Sequence, residues 1–214
     1  MRHEKRSDYR TVEELTREAF WNRYVPGCTE HFVLHNMRGS RDFITELDFV
    51  AELDGKVIGN IVYARGKVLD AAGKDHTVIG FGPVSVLPDY QRQGVGSALI
   101  RHSLKKAATL GFRAVCIYGN PKYYSRFGFR CAERYDITTS EGKFAFALLA
   151  LELAPGALRK ISGKFVESEI YGVDESDFQK YEDTFPPKIK AVTESQEEFR
   201  IIAGLAYCPA PTKC

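Results

Sequence analysis

The sequence predicts an α/β fold in which a mixed, mostly antiparallel central sheet is flanked by helices. Three observations predict it. Apolar residues alternate with period two from Leu47 to Leu53 and the pattern resumes after Asp54-Gly55. A strand, a glycine-containing turn and an amphipathic helix follow, up to about Gly111. The apolar run Ala114-Val115-Cys116-Ile117-Tyr118 then comes directly after that helix. The first pattern is an antiparallel hairpin, because Gly tolerates the positive φ of a tight turn. The other two form a parallel β-α-β crossover with a strand buried on both faces.

The elements follow in order. Val12, Leu15, Ala19 and Phe20 recur at helical spacing over 11–23, with Thr11 as cap and Glu14 as its capping-box partner. A second helix is expected from Glu30 to Met37. Leu47, Phe49, Ala51 and Leu53 share one strand face, Lys56 to Tyr63 returns antiparallel, and a loop over Asp70 to Lys74 leads to a third strand from about His76 to Leu87. Gly82-Pro83 falls inside that strand; proline has no N–H for a ladder, so the pairing must bulge or break there. Pro88-Asp89-Tyr90 ends the strand, and Ile100, Leu104, Ala107 and Ala108 mark the following helix, which Gly111 stops. Gly119-Asn120-Pro121 ends the buried strand, Lys122 to Phe127 forms a short helix, and Gly128-Phe129 opens a further strand. Phe144 to Leu153 reads as another.

Beyond Pro155-Gly156 the texture changes, with Pro186-Pro187, Pro209 and Pro211. Here the spacing predicts a strand within Gly163 to Tyr171, a helix capped by Asp174 running to about Glu182, and a second capping box at Ser195 and Glu198. Residues 1–154 are therefore expected to form one domain. Residues 155–214 are expected to pack on it as an extension, since about 60 residues make a marginal core alone.

Composition narrows the function classes. Thirty Lys+Arg against 28 Asp+Glu leave a formal net charge of +2, too small and dispersed for a nucleic-acid footprint. Cys28, Cys116, Cys131, Cys208 and Cys214 are odd in number and form no CxxC pair, so neither a disulfide framework nor a zinc site is expected and a reducing cytoplasm is the simplest setting. No apolar run approaches the roughly 18 to 20 residues of a membrane span, and the charged start Met1-Arg2-His3-Glu4-Lys5-Arg6 is not followed by a leader's apolar stretch.

The chemistry is concentrated in Gln91-Arg92-Gln93-Gly94-Val95-Gly96-Ser97, between a strand and a helix. The first backbone N–H groups of a helix have no intrahelical partner and point at incoming ligand. Together with the macrodipole, about 0.3 to 1 kcal/mol in favour of an anion, they form a phosphate site. Gly94 and Gly96 keep Cβ atoms out of the way. A dinucleotide GxGxxG would need glycine at Leu99, and no Gly-Lys-Ser/Thr of a P-loop is present. The turn alone also suits an ordinary strand-to-helix junction.

The turn resembles the acetyl-CoA signature of the GNAT superfamily of N-acetyltransferases, with Gln91, Gly94 and Gly96 at the signature positions. The resemblance extends over roughly residues 8 to 153. It includes the interrupted strand, the lead-in Val84, Val86 and Pro88, and a downstream Tyr-x-x-x-Gly-Phe at Tyr124, Gly128 and Phe129. It implies a GNAT-like fold in which a splayed strand pair holds the cofactor, and direct acetyl transfer from acetyl-CoA to a primary amine without acyl-enzyme or metal. The pantetheine is expected at the backbone of Val84, Ser85 and Val86. The pyrophosphate is expected at Gln91, Arg92, Gln93, Gly94, Val95, Gly96 and Ser97. Asn120 is a further contact or simply a turn residue.

The resemblance makes Tyr124 the group facing the CoA sulfur. A phenol of pKa about 10 is a poor proton donor to a thiolate whose acid has pKa about 8.5, uphill by about 2 kcal/mol, so hydrogen bonding to sulfur counts for more than full transfer. Tyr123 is the alternative, but neighbours on a helix face about 100° apart. Deprotonating a lysine-like amine at pH 7 costs about 4.6 kcal/mol. Glu46, Asp75, His76 and acids of the first two helices are candidate bases, none singled out by spacing. His31 and His35 lie four apart, without the glutamate or third ligand of a metal site. Arg101, Lys105, Lys106 and Arg126 suit either the ribose phosphate or a solvated face, and Trp21, Tyr24 and Phe32 suit the core or an acceptor wall. The acceptor, small molecule or protein amine, stays unnamed. A homodimer and a non-catalytic acyl-CoA-binding module are both compatible with the pattern.

Overall fold

In the computed structural model, residues 1–208 are described. The helices are α1 (Tyr9–Phe20), α2 (Glu30–Met37), α3 (Val95–Thr109), α4 (Pro121–Tyr124), α5 (Glu175–Glu182) and α6 (Glu194–Gly204). The strands are β1 (Arg2–His3), β2 (Phe49–Leu53), β3 (Lys56–Leu69), β4 (Asp75–Val86), β5 (Ala114–Tyr118), β6 (Arg130–Cys131), β7 (Ile137–Thr138), β8 (Phe144–Ala145), β9 (Leu148–Glu152), β10 (Gly163–Val166) and β11 (Ala206–Tyr207). Most pairings are antiparallel; β4 with β5 and β10 with β7 are parallel. The chain forms two compact units, and β3, β4, α3 and α6 contribute a segment to each.

The first unit comprises Met1–Ala64, Phe81–Lys106 and Ser168–Glu198. Asp54 and Gly55 both take positive φ, +50° and +79°, the conformation a two-residue hairpin turn requires. They set the register Leu53↔Lys56 that buries Val50, Val57 and Val62 with Val12, Leu15, Leu34 and Met37 of α1 and α2. A Cβ at Gly59 would lie 2.9 Å from the Ser85 carbonyl oxygen and 3.1 Å from Leu99, so glycine lets β3, β4 and α3 approach closely. Two hydroxyl contacts fasten buried neighbours: Tyr63 to Ser103 at 2.8 Å, and Ser85 Oγ donating to Thr16 Oγ1 at 2.9 Å.

The first helix differs from expectation at its start. It begins at Tyr9, so Thr11 lies inside it and no box with Glu14 forms. Instead Asp8 accepts the Lys5 N–H at 2.8 Å in the preceding 3-10 turn. Asp174 does cap α5, accepting from the Asp177 N–H at 3.0 Å. The box expected at Ser195 is absent because α6 starts at Glu194 and the Ser195 hydroxyl donates to the Arg23 carbonyl at 2.8 Å.

The second unit comprises Arg65–Gly80, Ala107–Glu167 and residues 199–208. β5 is central and almost wholly buried, pairing along its length with β9 from Ala114↔Glu152 to Tyr118↔Leu148. Its parallel pairing with β4 is at Ile79↔Val115, on the N-terminal side of Gly82-Pro83, as a break at that dipeptide requires. Val68, Val78, Cys116, Ile137, Ala150, Leu158 and Phe165 fill the core. The returning strand outruns the expected Tyr63 and continues to Leu69, because its end pairs with β10 through Val68↔Phe165, a partner no local pattern reveals. The apolar segment 144–153 is two strands, not one: β8 pairs with β11, the Phe146 N–H donates to the Leu205 carbonyl at 2.8 Å, and β9 turns to β5. The expected strand over 163–171 ends at Val166 and gives way to a 3-10 turn at Glu169–Tyr171.

Cys28, Cys116, Cys131 and Cys208 are free thiols; Pro209, Pro211 and Cys214 lie outside the described residues. Among the described residues no helix is long and apolar enough to cross a membrane. Residues 155–208 are shared between the two units.

Candidate active site

The glycine turn is held open by its own side chains. Gln91 Nε2 donates to the Val86 carbonyl at 3.0 Å and Gln93 Nε2 to the Asp89 carbonyl at 2.7 Å. Both amides thus brace the chain entering the turn. Arg92 is exposed and sits at φ +61°, with Gly94 at φ +90°; positive φ at a non-glycine residue is strain of the kind that functional turns store. No atom lies within 4 Å of where a Gly94 Cβ would be. The first intrahelical bond of α3 runs from the Ala98 N–H to the Gly94 carbonyl at 2.9 Å, which leaves the amides of Val95, Gly96 and Ser97 at the positive end of the helix. On β4 the alternation places Ser85, fully buried against Thr16, on one face and half-buried Val84 and Val86 on the other.

Tyr124 lies in the second unit, after the C-terminal end of β5. Asn120 caps α4, its Oδ1 accepting the Lys122 N–H at 3.0 Å while its carbonyl accepts the amides of Tyr123 and Tyr124. Pro121 suits the first helical position, where no N–H is needed. Gly119 is the condition for the placement of Tyr124: a Cβ there would lie 2.7 Å from Tyr124 Cδ2 and closer still to Cε2. Tyr124 stacks edge-on against Tyr123 at 5.0 Å and Phe129 at 5.9 Å. Tyr123 instead carries Arg126, whose guanidinium stands 4.8 Å over its ring, so Arg126 packs on a tyrosine.

An acid that the sequence did not mark belongs to the same unit and acts on Tyr118, at the end of β5 from which the Tyr124 segment follows. Glu167 directly follows β10, near Gly66, and its charge acts on the Tyr118 hydroxyl at the end of β5. It is open to solvent yet crowded by protein, which pushes its carboxyl up to about 7. Burial, then the Glu167 charge, pushes Tyr118 up to about 12. The acids considered from sequence are engaged otherwise. Asp75 pairs with Lys67 at 2.8 Å, His76 meets Asp70 at 2.8 Å, and Glu13, Glu14 and Glu18 pair with Arg38, Arg10 and Lys188. Glu46 is an exposed residue of a 3-10 turn.

The remaining candidates settle into packing within the first unit. His31 is fully buried, its Nε2 2.9 Å from Glu182 and its ring among Phe178, Tyr181 and Phe185. His35 meets a different carboxylate, Glu13, at 2.9 Å. Phe32 is core against Phe178 and Tyr181. Trp21 donates to the Ile189 carbonyl at 2.9 Å, and the half-exposed Tyr24 ring lies 5.7 Å from Phe20.

Comparison with known proteins places this arrangement. Residues 46–131 match the model of the acetyltransferase (GNAT) domain, a stretch that holds both the glycine turn and Tyr124. The Escherichia coli K12 protein described as the uncharacterized N-acetyltransferase YhbS is 30% identical over 147 residues, covering 68% of this chain and 85% of YhbS. The crystal structure of E. coli YhbS in complex with CoA superposes with a TM-score of 0.69 at 28% identity, covering 79% of this chain and 89% of that one. A GNAT family acetyltransferase from Brucella melitensis in complex with acetyl-CoA gives 0.64 at 26% identity, covering 80% and 96%. With its signature turn, its sheet and these relatives, the chain belongs to the GNAT family of acetyltransferases.

Proposed function

We propose that the protein transfers the acetyl group of acetyl-CoA to a primary amine, most simply that of a small molecule, by direct attack in a ternary complex. The observation that carries this reading is the turn at 91–97, whose glutamine side chains fold back on the chain while the amides of Val95, Gly96 and Ser97 are left for a pyrophosphate. CoA and acetyl-CoA in the E. coli and Brucella relatives support the same donor. The backbone of Val84, Ser85 and Val86 takes the pantetheine, and Asn120 holds Tyr124 in place by capping α4. Residues 1–154 form the acetyltransferase domain in this reading, with 155–214 as its extension.

In the reaction the amine lone pair attacks the thioester carbonyl, the C–N bond forms and the C–S bond breaks. The Tyr124 hydroxyl donates a hydrogen bond to the departing sulfur. Glu167, which acts on Tyr118 two residues before the Asn120 cap of the Tyr124 helix, is the candidate to take the proton from the amine, and a carboxyl near 7 suits that task at neutral pH. Replacing Tyr124 by Phe removes the hydroxyl and keeps the ring. The expected result is a fall in kcat of about 10²-fold with acetyl-CoA affinity, by calorimetry, held within about twofold. Unchanged turnover would remove Tyr124 from the mechanism.

A further inference from the structure

β5 has two ends, and only its C-terminal end leads to Tyr124. At the N-terminal end, where Ala114 pairs with Glu152, the second unit carries a cavity of about 750 Å³. That is the size of a small-molecule site, about 300–1,000 Å³, but the lining is charged. Arg130, Arg134, Arg159 and Lys160 face it against Asp136 and Glu152, a local excess of two positive charges that equals the formal net charge of the whole chain.

Separate elements bring these cations together. Arg130 lies in β6 opposite Ala150 of β9. Arg134 belongs to the 3-10 turn Ala132–Tyr135. Arg159 and Lys160 follow the turn at Gly156, whose φ is +71°. Among the described residues none of the four cations is in an ion pair. One carboxylate is already committed, since Glu152 Oε1 accepts the Leu158 N–H at 2.8 Å. Tyr135 stands among Arg130, Arg134 and Glu152. A neighbouring cavity of about 490 Å³ shares Arg159 and Lys160 and adds Arg113 and Asp75, whose charges offset each other, so the cationic excess belongs to the first.

Four cations that share a concave surface with only two carboxylates, one of them already bonded to the Leu158 N–H, repel one another, and a ligand that carries several negative charges relieves that repulsion. Guanidinium forks match the oxygens of phosphate groups bidentately, and lysine adds a point charge. A monoanion would leave half of the excess unanswered, and an apolar ligand would meet a charged wall. We propose that this cavity binds a small polyphosphate, a di- or triphosphate group held by Arg130, Arg134, Arg159 and Lys160.

The test is calorimetric titration of the full chain with inorganic tripolyphosphate at low salt. Saturable 1:1 binding that weakens as salt is added is expected. The double variant Arg134→Glu/Arg159→Glu should bind at least about tenfold more weakly, given what charge-assisted hydrogen bonds contribute. If circular dichroism shows that this variant is misfolded, Arg134→Gln/Lys160→Gln takes its place, with a loss of several-fold expected. ATP binding more tightly than tripolyphosphate would identify a nucleotide as the source, and equal affinity would identify the phosphates alone; either supports the site. Absence of saturable binding, an unchanged affinity in the folded variant, or citrate binding more tightly than tripolyphosphate would overturn it. So would stoichiometric displacement of tripolyphosphate by CoA, which would put the anion at the 91–97 turn instead.

Discussion

At the scale of the residue, the site depends on where single atoms are allowed to be. Gly119 has no Cβ, and the Tyr124 ring occupies the space a Cβ would fill. Gly119→Ala must therefore push the ring or the strand end aside, an overpacking cost of about 1–3 kcal/mol. The expected outcome is a loss of acetyl transfer comparable to Tyr124→Phe together with a lower denaturation midpoint. Alanine tolerated without loss in both would show that the ring position does not matter. Glu167, as the proposed base, should set the pH dependence. Its carboxyl, raised to about 7 by the protein crowded around it, must be ionised to accept a proton, so kcat/KM should rise with pH through about 7 and level off above it. Glu167→Gln should lower the plateau and abolish that limb; a limb that persists at the same pH would assign it to another group. The segment with Gln91, Gly94 and Gly96 and that with Tyr124 were readable from sequence because each is a short stretch of fixed spacing, and the roles proposed for them come from the family resemblance. Glu167 was not, because its neighbours Tyr118 and Gly66 are distant in sequence.

At the scale of the element, segment 168–198 is fastened to α1 and α2 by a buried charge cluster. Glu182 at the end of α5 bonds both Arg17 of α1 and His31 of α2, and Phe178, Tyr181 and Phe185 surround the imidazole. Removing the carboxylate alone leaves the buried Arg17 uncompensated, so Glu182→Leu should destabilise by about 3–5 kcal/mol in denaturant unfolding. Burial lowers His31 to about 4 from an ordinary value near 6.5, despite Glu182 pulling the other way. The unfolded chain then binds the proton more readily than the folded one, so this contribution is complete above about 6.5. It is lost as pH falls toward 4, by up to about 3 kcal/mol. His31→Phe should flatten that window, and an equally steep fall in the variant would exclude His31 as its origin. The sequence marked α2, the Asp54-Gly55 hairpin and the Asp174 cap, each of which is local. It missed the far end of β3 and the division of 144–153, where pairing with β10 and β11 decides the outcome.

At the scale of the whole molecule, the fold class was legible because period-two strands, one crossover helix and one doubly buried strand leave few alternatives. The distribution of residues 155–208 over both compact units was not legible, since their contacts are made across the length of the chain. The acceptor also belongs to this scale, because no short motif names it. In the proposed reaction this GNAT chain moves an acetyl group from acetyl-CoA to an amine. It is tested most directly by mass spectrometry after incubation with acetyl-CoA and a panel of small amines, amino acids, aminoglycosides and peptides. At least one amine should gain a single acetyl group with release of an equivalent of CoA thiol, and small amines should outpace peptides. Tight acetyl-CoA binding without transfer to any member of the panel would contradict it and point to a protein that holds the acyl-CoA without using it.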